Sequence, residues 1–153
     1  MDRILITGAL GQLGSEFIKY FKKTESYVLA TDIKTPKNKL DCNFEKANAL
    51  DKKKINSLVK KHNINTIYHL VAILSANGEK NPFLSWKLNM DSFQNIAEIS
   101  IENKIKKVFW PSSIAVFGTE SNLDFVSQNP LMNPTTIYGI TKLAGEKLIE
   151  YYL

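Results

Sequence analysis

Three glycines at intervals of three, Gly8, Gly11 and Gly14, separate an apolar β-branched run from an amphipathic one in ILITGALGQLGSE, residues 4–16. No other feature of the 153-residue chain restricts its fold as much. Arg3–Thr7 reads as a short strand buried on both faces. From Gln12 to Lys23, Leu13, Phe17, Ile18 and Phe21 recur at helical spacing, and Lys22 and Lys23 suit the negative end of the helix dipole. A glycine turn between strand and helix has a known physical use. The first glycine permits the tight turn, the second lets backbone approach a pyrophosphate, and the third allows helix and strand to pack closely. The opening N–H groups of the helix, around Gln12 and Leu13, then face the phosphates. The spacing is G-x-x-G-x-x-G rather than the more usual G-x-G-x-x-G. With seven glycines in the chain, such a triple arises by chance about 0.015 times, and a glycine-rich turn without a ligand is the alternative reading.

The same alternation continues. Tyr27–Ile33 and Thr66–Ile73 read as strands, with Asp51 as N-cap of a helix that runs to Lys61 and turns Ile55, Leu58 and Val59 inward. Pro82 opens a helical pattern that reaches Asn103, with a break near Asn89. Lys107–Trp110 is a strand stopped by Pro111, residues 121–134 are loop-like, and Tyr138–Tyr152 forms a final helix. Strands alternating with helices predict βαβ units: an α/β fold with a doubly wound parallel sheet, in one domain over 1–153.

Composition narrows the partners. Hydrophobic residues make up 44% and charged residues 23% of the chain, enough for a globular core. No apolar run approaches the roughly 20 residues of a membrane helix, and Met1-Asp2-Arg3 leaves no room for a leader before the first strand, so a cytoplasmic protein is expected. Cys42 is the single cysteine, and His62 and His69 are isolated, so neither a disulfide nor a metal site is expected. The net charge of +5 resides in lysine clusters at helix ends and faces, without interleaved aromatics, which argues against nucleic acid.

Two further constellations carry chemistry. Asp32 ends the second strand 18 residues after Gly14, where a carboxylate accepts hydrogen bonds from an adenosine ribose and repels a 2′-phosphate, favouring NAD over NADP. Tyr138 and Lys142 lie four apart, on one face of a helix, where the ammonium favours the phenolate and fits the tyrosine for acid–base work. Alone, that pair is uninformative, since about 0.7 such matches arise by chance. Its weight comes from its place downstream of the glycine turn and of Pro111-Ser112-Ser113, which offers hydroxyls at a strand end.

GALGQLG, the Asp32 strand end, NAL at residues 48–50, VAILSANGEKNP, the Asn89 helix, WPSSIAVFG and YGITKLAGE together resemble the extended short-chain dehydrogenase/reductases, the NAD-dependent epimerase/dehydratase group. Within it, LSANGEKNP, KKVFWPSSIAVFG and residues 134–145 are similar to the short-chain L-threonine 3-dehydrogenases. The resemblance implies a Rossmann-type NAD-binding domain, with Tyr138 as catalytic acid/base. Lys142 would lower the tyrosine pKa and hold the nicotinamide ribose, and Ser113 would hold the reacting hydroxyl. It further implies that Ser75 contacts the substrate and that Asn48 and Ala49 line the adenine. Val71, Ala72 and Ile73 would run beside the cofactor, with Asn89 and Ser112 also on the cofactor side. Without the family, Ser75, Ser113 and Asn48 read more readily as strand-end caps and a turn residue than as functional residues.

The reaction implied is oxidation of the L-threonine 3-hydroxyl to 2-amino-3-oxobutanoate with formation of NADH. An NAD-dependent sugar-nucleotide epimerase or dehydratase and a catalytically silent NAD-binding module are the alternatives. Chains of the family run well beyond this length, so the C-terminal substrate part is expected to be absent. The family's dimers form through the helices at residues 91–103 and from Tyr138 onward, which implies a homodimer.

Overall fold

The computed structural model describes residues 1–118 and 132–152. In chain order its elements are β1 (Arg3–Thr7), α1 (Gln12–Phe21), β2 (Tyr27–Asp32), β3 (Asn43–Lys46), α2 (Lys52–Lys61), β4 (Thr66–His69) and α3 (Ser75–Gly78). There follow α4 (Pro82–Trp86), a π turn (Lys87–Asp91), α5 (Ser92–Glu102), β5 (Lys107–Phe109), a 3₁₀ turn (Ile114–Val116) and α6 (Ile137–Tyr152). They divide into two compact units. The first comprises Met1–Val71 and Ser92–Pro111, the second Ala72–Asp91 and the described residues from Ser112 on.

The first unit is a five-stranded, all-parallel sheet in the order β3-β2-β1-β4-β5. Register aligns Leu5 with Leu29 on one side and Ile67 on the other. Because side chains alternate along a strand, these three share one face, where they join Ile55, Leu58 and Val59 of α2 and Ile96 and Ile99 of α5. Ile4, Ile6, Val28 and Ala30 point the opposite way, onto Ile18 and Phe21 of α1. Helices on both faces explain why the strands read as continuous apolar runs. Each fully buried leucine or isoleucine contributes about 1.5–3 kcal/mol, so this double core dominates the unit's stability. The chain runs outward from β1 to β3 and then returns to β4 on the other side. The order therefore reverses between β1 and β4, at the place where open α/β sheets bind ligands.

Several boundaries differ from the pattern reading. β3 was not expected: NFEK is short and polar, and only Phe44 signals a strand. β4 ends at His69 rather than Ile73, because β1 ends opposite it at Thr7, whose carbonyl takes the last bond, from Leu70 N–H. α1 ends at Phe21 with Lys22 as its cap, and α6 begins one residue early, at Ile137. The break near Asn89 is the π turn. Of the expected loop at 121–134, residues 121–131 lie outside the described residues.

Lysines of the basic clusters pair with acids at the surface: Lys52 with Glu98 and Glu102, Lys54 and Lys61 with Glu45, and Lys22 with Asp41. In the second unit, Asn81 accepts from Leu84 N–H and Pro82 occupies the first turn of α4. The start of α6 is capped twice, by Thr136 Oγ1 accepting from Gly139 N–H at 3.0 Å and by Glu79 Oε1 accepting from Ile137 N–H at 2.8 Å. Among the described residues no helix is long and apolar enough to cross a membrane, and no group of His, Cys, Asp and Glu could hold a metal ion.

Candidate functional site

In the first unit the carboxyl ends of β1, β2, β3 and β4 gather most of the residues singled out for the cofactor. Gly8 adopts a left-handed φ of +70°, and a Cβ there would stand 3.1 Å from the backbone of Leu70 and Val71. A Cβ on Gly14 would stand 2.6 Å from Ala9 Cα and O, so α1 leans on the turn itself. Gly11 has ordinary dihedrals, donates to the Gly8 carbonyl at 3.1 Å and forms the N-cap of α1. No acidic residue stands in the first turn of that helix. Its opening N–H groups, beginning with Gln12 and Leu13, are therefore available to an anion.

Asp32 is fixed beside this turn from two directions. Its Oδ2 accepts from Leu10 N–H at 3.1 Å and its Oδ1 from Lys34 N–H at 3.0 Å. Each oxygen keeps a lone pair for a ribose hydroxyl. Beyond β3, Asn48 is exposed and Ala49 buried; Asn48 Oδ1 accepts from Leu50 N–H in a local turn. Asn95 on α5 secures that turn by donating to the carbonyls of Ala49 and Leu50 at 3.1 and 3.2 Å. Asn95 carries no local signal of this task, because its partners lie more than 40 residues away. His69 is fully buried, with Nδ1 2.7 Å from Thr7 Oγ1 and Nε2 3.0 Å from Ser92 Oγ, a core role in keeping with its isolation in sequence. The glycine turn, the open helix start and the pinned carboxylate together fit a dinucleotide.

A hollow of about 300 Å³ lies at the other end of these strands, between Ile18, Phe21, Val28 and Cys42. Burial, with Asp41 adding, pushes the Cys42 thiol up from its ordinary value, which makes it a poor nucleophile.

The second unit holds Tyr138 and Lys142, the pair expected to do acid–base work. Tyr138 and Lys142 follow one another on α6, with the Lys142 ammonium 5.6 Å from the centre of the tyrosine ring. Lys142 is 3% exposed, and burial lowers its pKa to about 8. Gly139 packs so tightly on the 3₁₀ turn that a Cβ there would overlap the Ala115 carbonyl. That contact sets the first turn of α6 against the residues after Ser113. Ser113 Oγ accepts from Ala115 N–H at 3.2 Å, which leaves its O–H free to donate. The Ser112 hydroxyl donates to the Glu146 carboxylate, one turn beyond Lys142. Ser75 opens α3, half-buried. Asn89, in the π turn, spends its amide on the backbone of Ile73 and on Thr141, so any bearing it has on a cofactor passes through the Ala72–Ile73 segment. Glu79, Gly139, Thr141 and Glu146 were not singled out in the sequence. Only the G-x-T-K-x-x-G-E run around the tyrosine–lysine pair hints at three of them.

Comparison with known proteins agrees with this fold. The model of the NAD dependent epimerase/dehydratase family matches residues 4–153. An epimerase/dehydratase of Staphylococcus haemolyticus (strain JCSC1435), itself described as uncharacterized, is 40% identical over 159 residues, covering 99% of this chain and 49% of the relative. A GalE-like L-threonine dehydrogenase from Cupriavidus necator, solved in its holo form, superposes with a TM-score of 0.94 at 39% identity, over 98% of this chain and 49% of that one. A monomeric L-threonine 3-dehydrogenase from a metagenome gives 0.92 at 40%, over 97% and 48%. The chain thus spans about half the length of the relatives it matches. Its glycine turn, its parallel sheet and the match over residues 4–153 lead to one assignment: the chain belongs to the NAD-dependent epimerase/dehydratase family.

Proposed function

We propose that this chain carries the cofactor-binding and acid–base residues of an NAD-dependent dehydrogenase that oxidises the 3-hydroxyl of L-threonine to 2-amino-3-oxobutanoate. The observation that carries the reading is the buried Lys142 ammonium, one helical turn from Tyr138 and 5.6 Å from its ring. A cation held there favours the phenolate, which then takes the proton of the substrate hydroxyl. Ser113, with a free O–H, holds that hydroxyl oxygen in place. Gly8, Gly11, Gly14 and Asp32 hold the dinucleotide, together with the Asn48–Ala49 turn and the Val71–Ile73 backbone. NAD⁺, when bound, accepts the hydride released from the same carbon. Similarity to the threonine dehydrogenases at 39–40% identity supports the choice of substrate.

NADH formation from NAD⁺ and L-threonine tests the reading. Threonine-dependent NADH that disappears in Tyr138→Phe is the expected result. The description of the staphylococcal relative favours a second reading, a sugar-nucleotide epimerase or dehydratase. Conversion of a UDP-sugar without net NADH, and silence with threonine, would establish that one instead.

A homodimer belongs to the same proposal. Ile101 on α5 of the first unit is 61% exposed, and Ile140 and Tyr151 on α6 of the second are 42% and 80% exposed; on each unit this is apolar surface that a second copy would cover. Sedimentation at micromolar concentration should give a dimer. A single monomer boundary, as the description of the metagenomic relative would suggest, would reject it.

A further inference from the structure

Thr141 stands between the two residues that the proposed chemistry needs, and it is fully buried. Its place in α6, three residues after Tyr138 and directly before Lys142, sets it beside their common face. A buried hydroxyl requires partners. Thr141 Oγ1 donates to the Tyr138 carbonyl at 2.8 Å and accepts from Asn89 Nδ2 at 3.1 Å. Asn89, 3% exposed, is bound in turn to a single residue by both ends of its amide. Its Oδ1 accepts from Ile73 N–H at 2.8 Å, and its Nδ2 donates to the Ile73 carbonyl at 3.2 Å. The chain of bonds runs from the backbone of Ile73 through Asn89 and Thr141 to the backbone of Tyr138. A threonine that bonds back to its own helix gains that helix nothing. What the hydroxyl adds is the connection to Asn89, which a valine of the same shape would lack.

We propose that Thr141 is a positioning residue that fixes the turn of α6 bearing Tyr138 and Lys142 to the Ala72–Ile73 segment through Asn89. The inference rests on the acid–base reading of that pair. Without the hydroxyl, a buried N–H of Asn89 loses its acceptor, the turn loosens, and water reaches the Lys142 ammonium.

The test uses the whole chain labelled with ¹³C at lysine Cε, with the Lys142 signal identified by its loss in Lys142→Met. Burial should place the Lys142 midpoint in the unaltered chain at about 8. In Thr141→Val it should rise by about one pH unit, a tenfold change in the ratio of ammonium to amine. Thr141→Ser, which keeps the hydroxyl, should restore it. Asn89→Ala should move it in the same direction, and it supplies the perturbation if the valine variant does not fold. A hydroxyl with a merely structural role would lower the urea midpoint of Thr141→Val and leave Lys142 unmoved. That outcome, or a serine variant shifted as far as the valine one, overturns the inference, as does an unmoved Lys142 in Asn89→Ala. Threonine-dependent NADH that survives Tyr138→Phe would instead remove the chemistry this turn serves, and the inference with it, whatever Lys142 does.

Discussion

Adding one methyl group at Gly14 and one at Gly11 should separate the two tasks of the glycine turn. At Gly14 the new Cβ would meet Ala9 Cα and O at 2.6 Å, against an ordinary contact of 3.4 Å or more. Helix α1 must therefore withdraw by about 0.8 Å from backbone that cannot yield. Overpacking of this kind costs about 1–3 kcal/mol, partly offset by the roughly 1 kcal/mol that alanine gains over glycine inside a helix. Because the overlap is with backbone, the cost falls at the upper end of that range, and a net loss of about 2 kcal/mol, or roughly 5 °C in Tm for a chain of this size, is expected for Gly14→Ala. Gly11 differs in both respects. Its φ is −74°, and its Cβ would meet only the Gly8 carbonyl, at 3.2 Å. Gly11→Ala should therefore change stability by about 0.5 kcal/mol or less. Its methyl would nevertheless stand at the helix N-cap, where the pyrophosphate approaches, and NAD affinity should fall at least about tenfold, 1.4 kcal/mol. Urea denaturation and titration with NADH, followed by nicotinamide fluorescence, measure the two quantities. Unchanged affinity in Gly11→Ala would refute the cradle, and an unchanged urea midpoint in Gly14→Ala would refute the packing argument.

Two other substitutions test the electrostatics. Burial lowers the Lys142 pKa from 10.5 to about 8, so the unfolded chain binds more protons between those values and stability rises with pH across them. The cost of the buried ammonium is fully present below pH 8, and Lys142→Met should be more stable at pH 7 by about 1–2 kcal/mol. A variant less stable than the parent at pH 7 would contradict this. Glu45 is held down to about 2, chiefly by Lys61, with His62 and Lys54 contributing. Its contribution is present above the ordinary carboxylate value of 4.5 and disappears as pH falls towards 2. After solvent screening it amounts to about 1 kcal/mol. Glu45→Gln should lose that amount at pH 7 and nothing near pH 2; urea midpoints that differ equally at both would be inconsistent with it.

What could be read in the sequence follows from how far apart the interacting residues stand. β1, α1, β2 and α2 were legible because their apolar spacing is local and each is bounded by glycine, charge or a capping residue. β3 was not, since its four residues NFEK gain their strand geometry from pairing with Leu29–Asp32 rather than from their own pattern. The apolar run after His69 suggested more strand than exists, because apolar residues continue past the point where backbone pairing ends. In the candidate site, the glycines announced themselves by spacing, and Tyr138 and Lys142 by their place downstream of the glycine turn and of Pro111-Ser112-Ser113. Glu79, Asn95, Thr141 and Glu146 act through partners 34 to 58 residues away, and no local pattern reports such bonds.

The double anchoring of the Asp32 carboxylate has a consequence for the way ligand affinity responds to damage elsewhere. Leu10 and Lys34 orient that carboxylate, Leu50 and Asn95 set the Asn48–Ala49 turn, and Gly8 rests on the backbone of Leu70 and Val71. Bonds and contacts within the protein itself hold each of these parts. Intrinsic affinity for the nucleotide is therefore insensitive to core mutations such as Ile67→Val. Apparent affinity declines only in proportion to the fraction of molecules still folded. For this cradle, weakened binding without measurable unfolding points to the turn residues themselves.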